Sequence, residues 1–310
     1  MGHLVTSVGM IGLSEGNGHP FSFSAIINGY SDAGMATSGW DGIYAYVRQR
    51  DASEFGINGL QVTHAWTQDA AQTRKLCDAC RIPHAVDRLE DLVGVVDAVI
   101  LARDDFENHA AMALPFLKAG AHVFVDKPLS LDIDELRAFR PYLDNGKLMS
   151  CSGMRYAREL DDPRANISRY GAIKLIRGAI LNSWEKYGVH LLDAILACVS
   201  SKPVSVYPIP SGHVSLAIRM DDGALLQLDA LGECFRTFRV DFWGTEKNSS
   251  HEIVDNFSMF RRTLWHFGES IRTGCPAIPP PQTIDIMRLL IAGRRAHSEN
   301  REVRLDDVTI

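Results

Sequence analysis

The run Val95-Val96-Asp97-Ala98-Val99-Ile100-Leu101-Ala102 is apolar at nearly every position, so a strand built from it must be covered on both faces. Half-exposed antiparallel strands alternate apolar and polar residues, whereas continuous apolar runs belong to parallel sheets flanked by helices. The flanking sequence agrees. Leu4 to Ile11 is apolar or small and leads through a glycine- and serine-rich turn to Pro20-Phe21-Ser22-Phe23-Ser24-Ala25-Ile26-Ile27, which opens a helix. Leu60 to Trp66 reads as a strand, followed by Thr67-Gln68-Asp69 and a helix from Ala70 to Arg81 that ends before Pro83. Asp105 to Ala119 reads as a helix closed by Gly120, and His122-Val123-Phe124-Val125 as the next strand. This alternation predicts a doubly wound α/β sheet with right-handed connections and a ligand crevice at the carboxyl ends of its strands.

The pattern changes after a helix over 131–143 and a short strand near 147–150. Between Ala172 and Phe242 several strands alternate, among them Val214 to Met220 and Leu225 to Ala230, joined by the hairpin turn Asp221-Asp222-Gly223. Pro279-Pro280-Pro281 then precedes a last helix, Thr283 to Ser298. We place a first, parallel α/β domain at residues 1–150 and an α+β domain with a mainly antiparallel sheet at 151–310.

Composition narrows the partners. A formal charge of -6 and a pI near 6.0 supply no basic face for nucleic acid. The chain has no run of about eighteen apolar residues that would cross a bilayer, and no basic segment leading into an apolar leader. Met1-Gly2 with Thr6 formally fits a myristoylation pattern, but a lipid on Gly2 would sit a few residues from a strand that must be buried. The six cysteines are scattered; Cys77 and Cys80 have metal-ligand spacing but lack a second pair, so core and helix-surface thiols are expected, with no metal. These features together predict a cytoplasmic protein.

The predicted strand ends bring the loop from Gly12 to Pro20, Thr67-Gln68-Asp69, Ala102-Arg103-Asp104-Asp105 and Asp126-Lys127-Pro128 to one edge of the sheet. There a helix N-terminus offers unpaired N–H groups to a pyrophosphate. The loop Gly12-Leu13-Ser14-Glu15-Gly16-Asn17-Gly18-His19-Pro20 lacks the usual G-x-G-x-x-G spacing, leaving an altered cradle or an ordinary turn as alternatives. Lys127, at the end of a buried strand and before a proline, is either a solvated cap or a hydrogen-bonding partner for a substrate hydroxyl.

Asp126-Lys127-Pro128 after a strand, the helix start Asn108-His109 before it, Gly188-Val189-His190-Leu191-Leu192-Asp193 after it, and the close from Leu290-Ile291-Ala292-Gly293 to Arg301-Glu302-Val303-Arg304-Leu305 together resemble the Gfo/Idh/MocA family, that of glucose-fructose oxidoreductase, inositol dehydrogenase and MocA. The resemblance implies an N-terminal Rossmann domain holding NAD or NADP. It implies a C-terminal α+β domain whose open sheet forms a homodimer or homotetramer interface. It also implies hydride transfer to or from a carbon of a polyhydroxylated substrate: a sugar, nucleotide sugar or cyclitol. By position, Lys127 is the motif lysine beside the nicotinamide, flanked by Asp126 and Pro128, and His190 assists proton transfer. In that context the first loop reads as a modified dinucleotide cradle. Gly12 is its first glycine, Ser14 replaces the second and adds a hydroxyl for a phosphate, and Asn17 and Gly18 supply flexibility. His19 falls near the nicotinamide or substrate, and Arg103 and Asp104 line the cofactor side.

Two departures accompany the likeness. The family's aspartate four residues before the histidine is replaced by Lys186, which is a second ammonium tuning Lys127 by like-charge repulsion, a contact for a substrate anion, or a surface residue of a catalytically altered member. At the end of the second strand Thr67 takes the place of the ribose-binding acid, with Asp69 two residues on, and no arginine adjoins the turn in sequence; NAD is therefore expected over NADP. Arg155-Tyr156 enters the second domain, where the resemblance places it at the cleft; Arg155 either clamps a substrate anion or pairs with Glu159 or Asp161. Trp184 offers an apolar face to a sugar ring or packs in the core. Tyr187, His190 and Asp193 share a helical face, so Asp193 is placed to orient the imidazole. The alternative to an enzyme is a nucleotide- or sugar-binding regulatory protein.

Overall fold

The computed structural model describes residues 5–57 and 59–310; Gly2 and Leu4, which carry the myristoylation pattern and the expected strand start, lie outside them. The chain divides into two compact units. One comprises Met1–Ser130, Arg137–Ser150 and Phe260–Pro280, the other Leu131–Leu136, Cys151–Met259 and Pro281–Ile310. Residues 131–136 group with the second unit and 260–280 with the first.

In the first unit, β1 (Thr6–Ile11), α1 (His19–Asn28), α2 (Asp32–Ala36), α3 (Asp41–Val47), β2 (Leu60–Trp66), α4 (Ala70–Cys80), β3 (His84–Ala85), β4 (Ala98–Leu101), α5 (His109–Lys118), β5 (His122–Val125), α6 (Ile133–Asp144) and β6 (Leu148–Ser150) follow in order. Their strands form one parallel sheet in the order β3-β2-β1-β4-β5-β6. Every residue of β4 is buried, as its sequence requires of a strand covered on both faces. The apolar run is longer than the strand: Val95 is 55% exposed, and pairing begins at Ala98 because the preceding residues form the turn into the sheet. The helix after β2 stops at Cys80, and Arg81 caps it in the left-handed conformation (φ 54°). Helices α2 and α3 fill residues 32–47, a stretch without a clear sequence signal.

The second unit contains α7 (Asp161–Asn166), β7 (Ile173–Ile180), α8 (Trp184–Leu196), β8 (Pro203–Ile209), β9 (Val214–Met220), β10 (Leu225–Ala230), β11 (Phe238–Gly244), β12 (Asn248–Glu252), α9 (Asn256–Thr273, whose latter part packs in the first unit), α10 (Pro280–Glu299) and β13 (Val303–Arg304). The sheet order is β12-β11-β7-β10-β9-β8-β13, antiparallel apart from the β7–β10 pair. Ile176, Gly178 and Ile180 of β7 are buried, with Gly178 against Leu191 of α8. The alternate residues Arg177, Gln227, Asp229, Arg239 and Asp241 line a concavity of about 510 Å³ on the opposite face. Pro280 and Pro281 sit in the first turn of α10 instead of ahead of it, because proline lacks only an N–H that the first turn leaves unpaired anyway.

Candidate functional site

Register aligns the strand ends. Ile11 pairs with both Trp66 and Leu101, and Leu101 pairs with Val125, so Gly12, Thr67, Ala102 and Asp126 all leave the sheet along one line. At this edge the order reverses about β1 and β4, the position where doubly wound sheets take ligands.

The first loop is closed on itself. Gly12 faces Pro20 and Gly18 faces Trp40 and Ile43, each too close for a Cβ, so both glycines serve packing of loop and helix. Gly16, at φ 73°, occupies the third position of the turn Ser14–Asn17 and opens to space. At the start of α1, Asn17 Oδ1 accepts the His19 N–H at 2.9 Å and Pro20 has no N–H. The amides of Phe21 and Ser22 both turn to Gly18 O. The helix end therefore has no free amide for a phosphate. Leu13 is held through both its N–H and its carbonyl by Gln68, at 2.9 and 2.6 Å. The Ser14 hydroxyl, expected to reach a phosphate, donates to Asp104 at 2.6 Å and accepts from the Asp104 N–H. The amides of Glu15, Gly16 and Gly18 have no acceptor among the described residues.

Two carboxylates organise the edge. Asp104 binds Ser14 and lies 3.8 Å from Lys127 Nζ. Lys127 is 3% exposed, so it is no solvated cap. Asp126 is buried; its Oδ1 accepts the Lys127 N–H at 2.9 Å, while its Oδ2 receives Asn17 Nδ2 at 3.1 Å and lies 2.5 Å from His19 Nδ1. Burial alone would raise the Asp126 pKa, but the His19 charge and hydrogen bond, Lys127 and Asn17 outweigh it and hold the carboxyl far below the usual range. Pro128 follows Lys127 across a cis peptide bond and is buried. Behind them His109, fully buried, spans Leu129 O and Arg103 O, each at 3.1 Å. Burial lowers its pKa against the opposing pull of these two carbonyls, and the ring lies between the β4 and β5 ends.

At the second strand, Thr67 is buried and hydrogen-bonds to Asp69 O and Thr73, while Asp69 caps α4 through Ala71 N and Gln72 N. An arginine does reach this turn, from β4. Arg103 contacts Gln68 Oε1 at 2.9 Å, but its other nitrogens grip Asp105 at 2.8 and 2.5 Å, leaving its charge neutralised.

In the second unit a buried cluster forms around Ser152, a residue that sequence reasoning missed. Its Oγ lies 2.6 Å from His190 Nδ1 and accepts from Met154 N. Asp193 was expected to act on His190; its carboxylate instead accepts Ser152 N at 2.8 Å and Arg155 Nη1 at 3.2 Å, so it braces the residue that holds the imidazole. Burial pushes the Asp193 pKa up to about 6 against the opposing pull of Arg155 and Ser152. Arg155 pairs with Asp193 and with Gln282, not with Glu159 or Asp161, and Tyr156 beside it is 8% exposed. Tyr187 and Phe238 flank the His190 ring at 5.0 and 6.1 Å. Trp184, offered as a sugar platform, is a core residue: 1% exposed, its indole N–H bonded to Leu290 O. Lys186 is exposed on the first turn of α8.

Residues 34–147 match the model of an oxidoreductase family described as having an NAD-binding Rossmann fold. That family is Gfo/Idh/MocA, and the match covers these residues alone. Among solved structures, the whole chain is similar to myo-inositol 2-dehydrogenase from Lactobacillus plantarum (TM-score 0.77, 14% identity, 97% of this chain and 99% of that one). It is similar to scyllo-inositol dehydrogenase from Lactobacillus casei, solved with NAD(H) and scyllo-inositol (0.72, 16%, 97% and 99%). It is also similar to UDP-N-acetylglucosamine 3-dehydrogenase GnnA from Acidithiobacillus ferrooxidans (0.71, 14%, 96% and 99%). At such identities these likenesses establish a shared fold. The curated protein YceM of Salmonella typhimurium is 36% identical over 72 residues, which span only 23% of each chain.

The Gfo/Idh/MocA match begins at Met35's neighbour Gly34, beyond the first loop and α1. The part of the edge that departs furthest from G-x-G-x-x-G is thus the part outside the family model. A dinucleotide fits this edge only if its phosphates meet the turn amides of Glu15, Gly16 and Gly18, since the N-terminus of α1 is occupied. Among the described residues no group of three His, Cys, Asp or Glu side chains is arranged to hold a metal; Cys77 and Cys80 are buried, and burial raises both thiols. No helix among them is long and apolar enough to cross a membrane.

Proposed function

We propose that this protein is an NAD-dependent oxidoreductase that moves a hydride between the nicotinamide and a carbon of a sugar, nucleotide sugar or cyclitol. The observation that carries this reading is Lys127, buried on Asp104 at the line of strand ends in a Gfo/Idh/MocA Rossmann unit. Turn amides of Glu15, Gly16 and Gly18 would hold the phosphates, and Thr67 and Asp69 would lie beside the adenosine ribose. Neutralisation of Arg103 by Asp105 removes that guanidinium as a partner for a 2'-phosphate and favours NAD over NADP. A bound nicotinamide would supply the hydride acceptor or donor. Lys127, as an ammonium, donates a hydrogen bond to the reacting oxygen and stabilises charge that develops there. In the second unit His190 assists proton transfer, with Asp193 and Ser152 positioning it, and Arg155, Tyr156 and Lys186 serve substrate binding. We also propose a cytoplasmic homodimer or homotetramer formed through the charged face of the second sheet.

Fluorescence titration with NADH and NADPH tests the cofactor, and absorbance assays over a panel of inositols, hexoses and UDP-sugars test turnover. Failure of both nicotinamides to bind would remove the reading. The closed loop at α1 supports a second one, a regulatory protein that binds nucleotide or sugar without turnover; it predicts NADH binding with no hydride exchange across the panel.

A further inference from the structure

The first loop spends its polar groups on one imidazole. Asn17 uses its carbonyl on the His19 amide and its N–H on Asp126, and Asp126 in turn lies 2.5 Å from His19 Nδ1. The carboxylate is 2% exposed and fixed at its other oxygen by Lys127 N, so it has no freedom to swing away. The ring is wedged between Phe23, stacked at 4.8 Å, and Phe260, edge-on at 4.9 Å. One valence remains open. Nε2 has no partner among the described residues, and the side chain is 21% exposed.

We propose that His19 is a catalytic proton acceptor, with Nε2 taking the proton of the substrate hydroxyl and Asp126 holding the Nδ1 proton. A buried carboxylate on one nitrogen fixes the tautomer that leaves the other as an acceptor, and then stabilises the imidazolium that forms. Oxidation of an alcohol removes a hydride from carbon and a proton from oxygen. The oxidant is the nicotinamide of the proposed function, which takes the hydride and its electron pair; the proton passes to Nε2 as the C=O bond forms and leaves from the ring's exposed edge to water. Lys127 complements this step, because a charged ammonium can donate to the oxygen but cannot take its proton. The titratable groups around the pair are Asp126 and Lys127 at the end of β5 and His109 from α5, which feels the Asp126 charge; Asn17, Phe23 and Phe260 do not titrate. In this chain the loop that Rossmann proteins commonly build around a pyrophosphate also leads into an acid–base group.

This inference rests on the oxidoreductase reading, and the tests separate the two. Diethyl pyrocarbonate, with the acylated peptide located by mass spectrometry, should modify His19 at Nε2 in the native protein and spare His109. His19→Gln keeps an amide donor for Asp126 and should bind NADH within about threefold of wild type, while turnover of the polyol returned by the panel falls by about 100-fold or more. Added imidazole should restore part of the turnover of His19→Gly and leave wild type unchanged. A His19 that resists acylation, a His19→Gln enzyme with wild-type turnover, or a His19→Gly enzyme deaf to imidazole would each overturn the proposal. Absence of NADH binding to wild type would instead overturn the function on which it rests.

Discussion

Replacing Asp193 by asparagine should flatten one part of the pH dependence of stability. Burial raises this carboxyl to about 6, against an unfolded value near 3.9. Between those values the folded chain holds a proton that the unfolded chain has released, so the group's contribution to stability grows as pH falls and is lost as pH rises through 6. Linkage gives about 1.3 kcal/mol from about pH 7 to about pH 5, out of roughly 3 kcal/mol in full. Four histidines work against it. Burial lowers His64, His109, His122 and His251, and their contribution falls over the same range because the unfolded chain takes up those protons first. The difference between wild type and Asp193→Asn cancels them. Thermal melts followed by circular dichroism should show wild type gaining roughly 3–5 °C on the variant between those pH values, for a cooperative unit of this size. The variant should start lower, since Arg155 loses the charge it is buried against. Parallel curves of Tm against pH would show that Asp193 is not held in the environment described.

Lys127→Ala should cut turnover by orders of magnitude while NADH affinity stays largely intact; unchanged turnover in steady-state assays would refute its placement at the reacting oxygen. Ser152→Ala strands His190 Nδ1 and Met154 N in a buried site and should cost about 2–4 kcal/mol in urea unfolding, with a fall in kcat if His190 needs its bracing. Ellman's reagent should titrate two thiols in the native protein, exposed Cys234 and Cys275, and all six after denaturation.

Local patterns carried much of the fold. β2, β5, β9 and β10 begin and end where alternation or apolar runs place them, because strand period and burial are encoded within a few residues. The gathering of strand-end residues at one edge was legible where they follow expected strands, as Lys127 does after β5 and Asp104 after β4. The site was not legible where partners are distant in sequence. Sequence offers Arg155 a substrate anion or an acid a few residues away, yet its carboxylate lies 38 residues on at Asp193. Ser152 gained its role only when folding brought it to His190, and the Asn17–Asp126 contact spans 109 residues. Proximity along the chain favours such choices only until tertiary packing decides between them.

The return of Phe260–Pro280 to the first unit has a consequence for biogenesis. Phe260 and Phe267 pack on Phe23 and Phe124, so the Rossmann unit cannot complete its aromatic core until nearly the whole chain has been synthesised. During translation its nascent form exposes apolar surface and lies open to aggregation or chaperone capture. A fragment ending at Ser150 would retain every strand of the parallel sheet and still lack the aromatic side chains that close it.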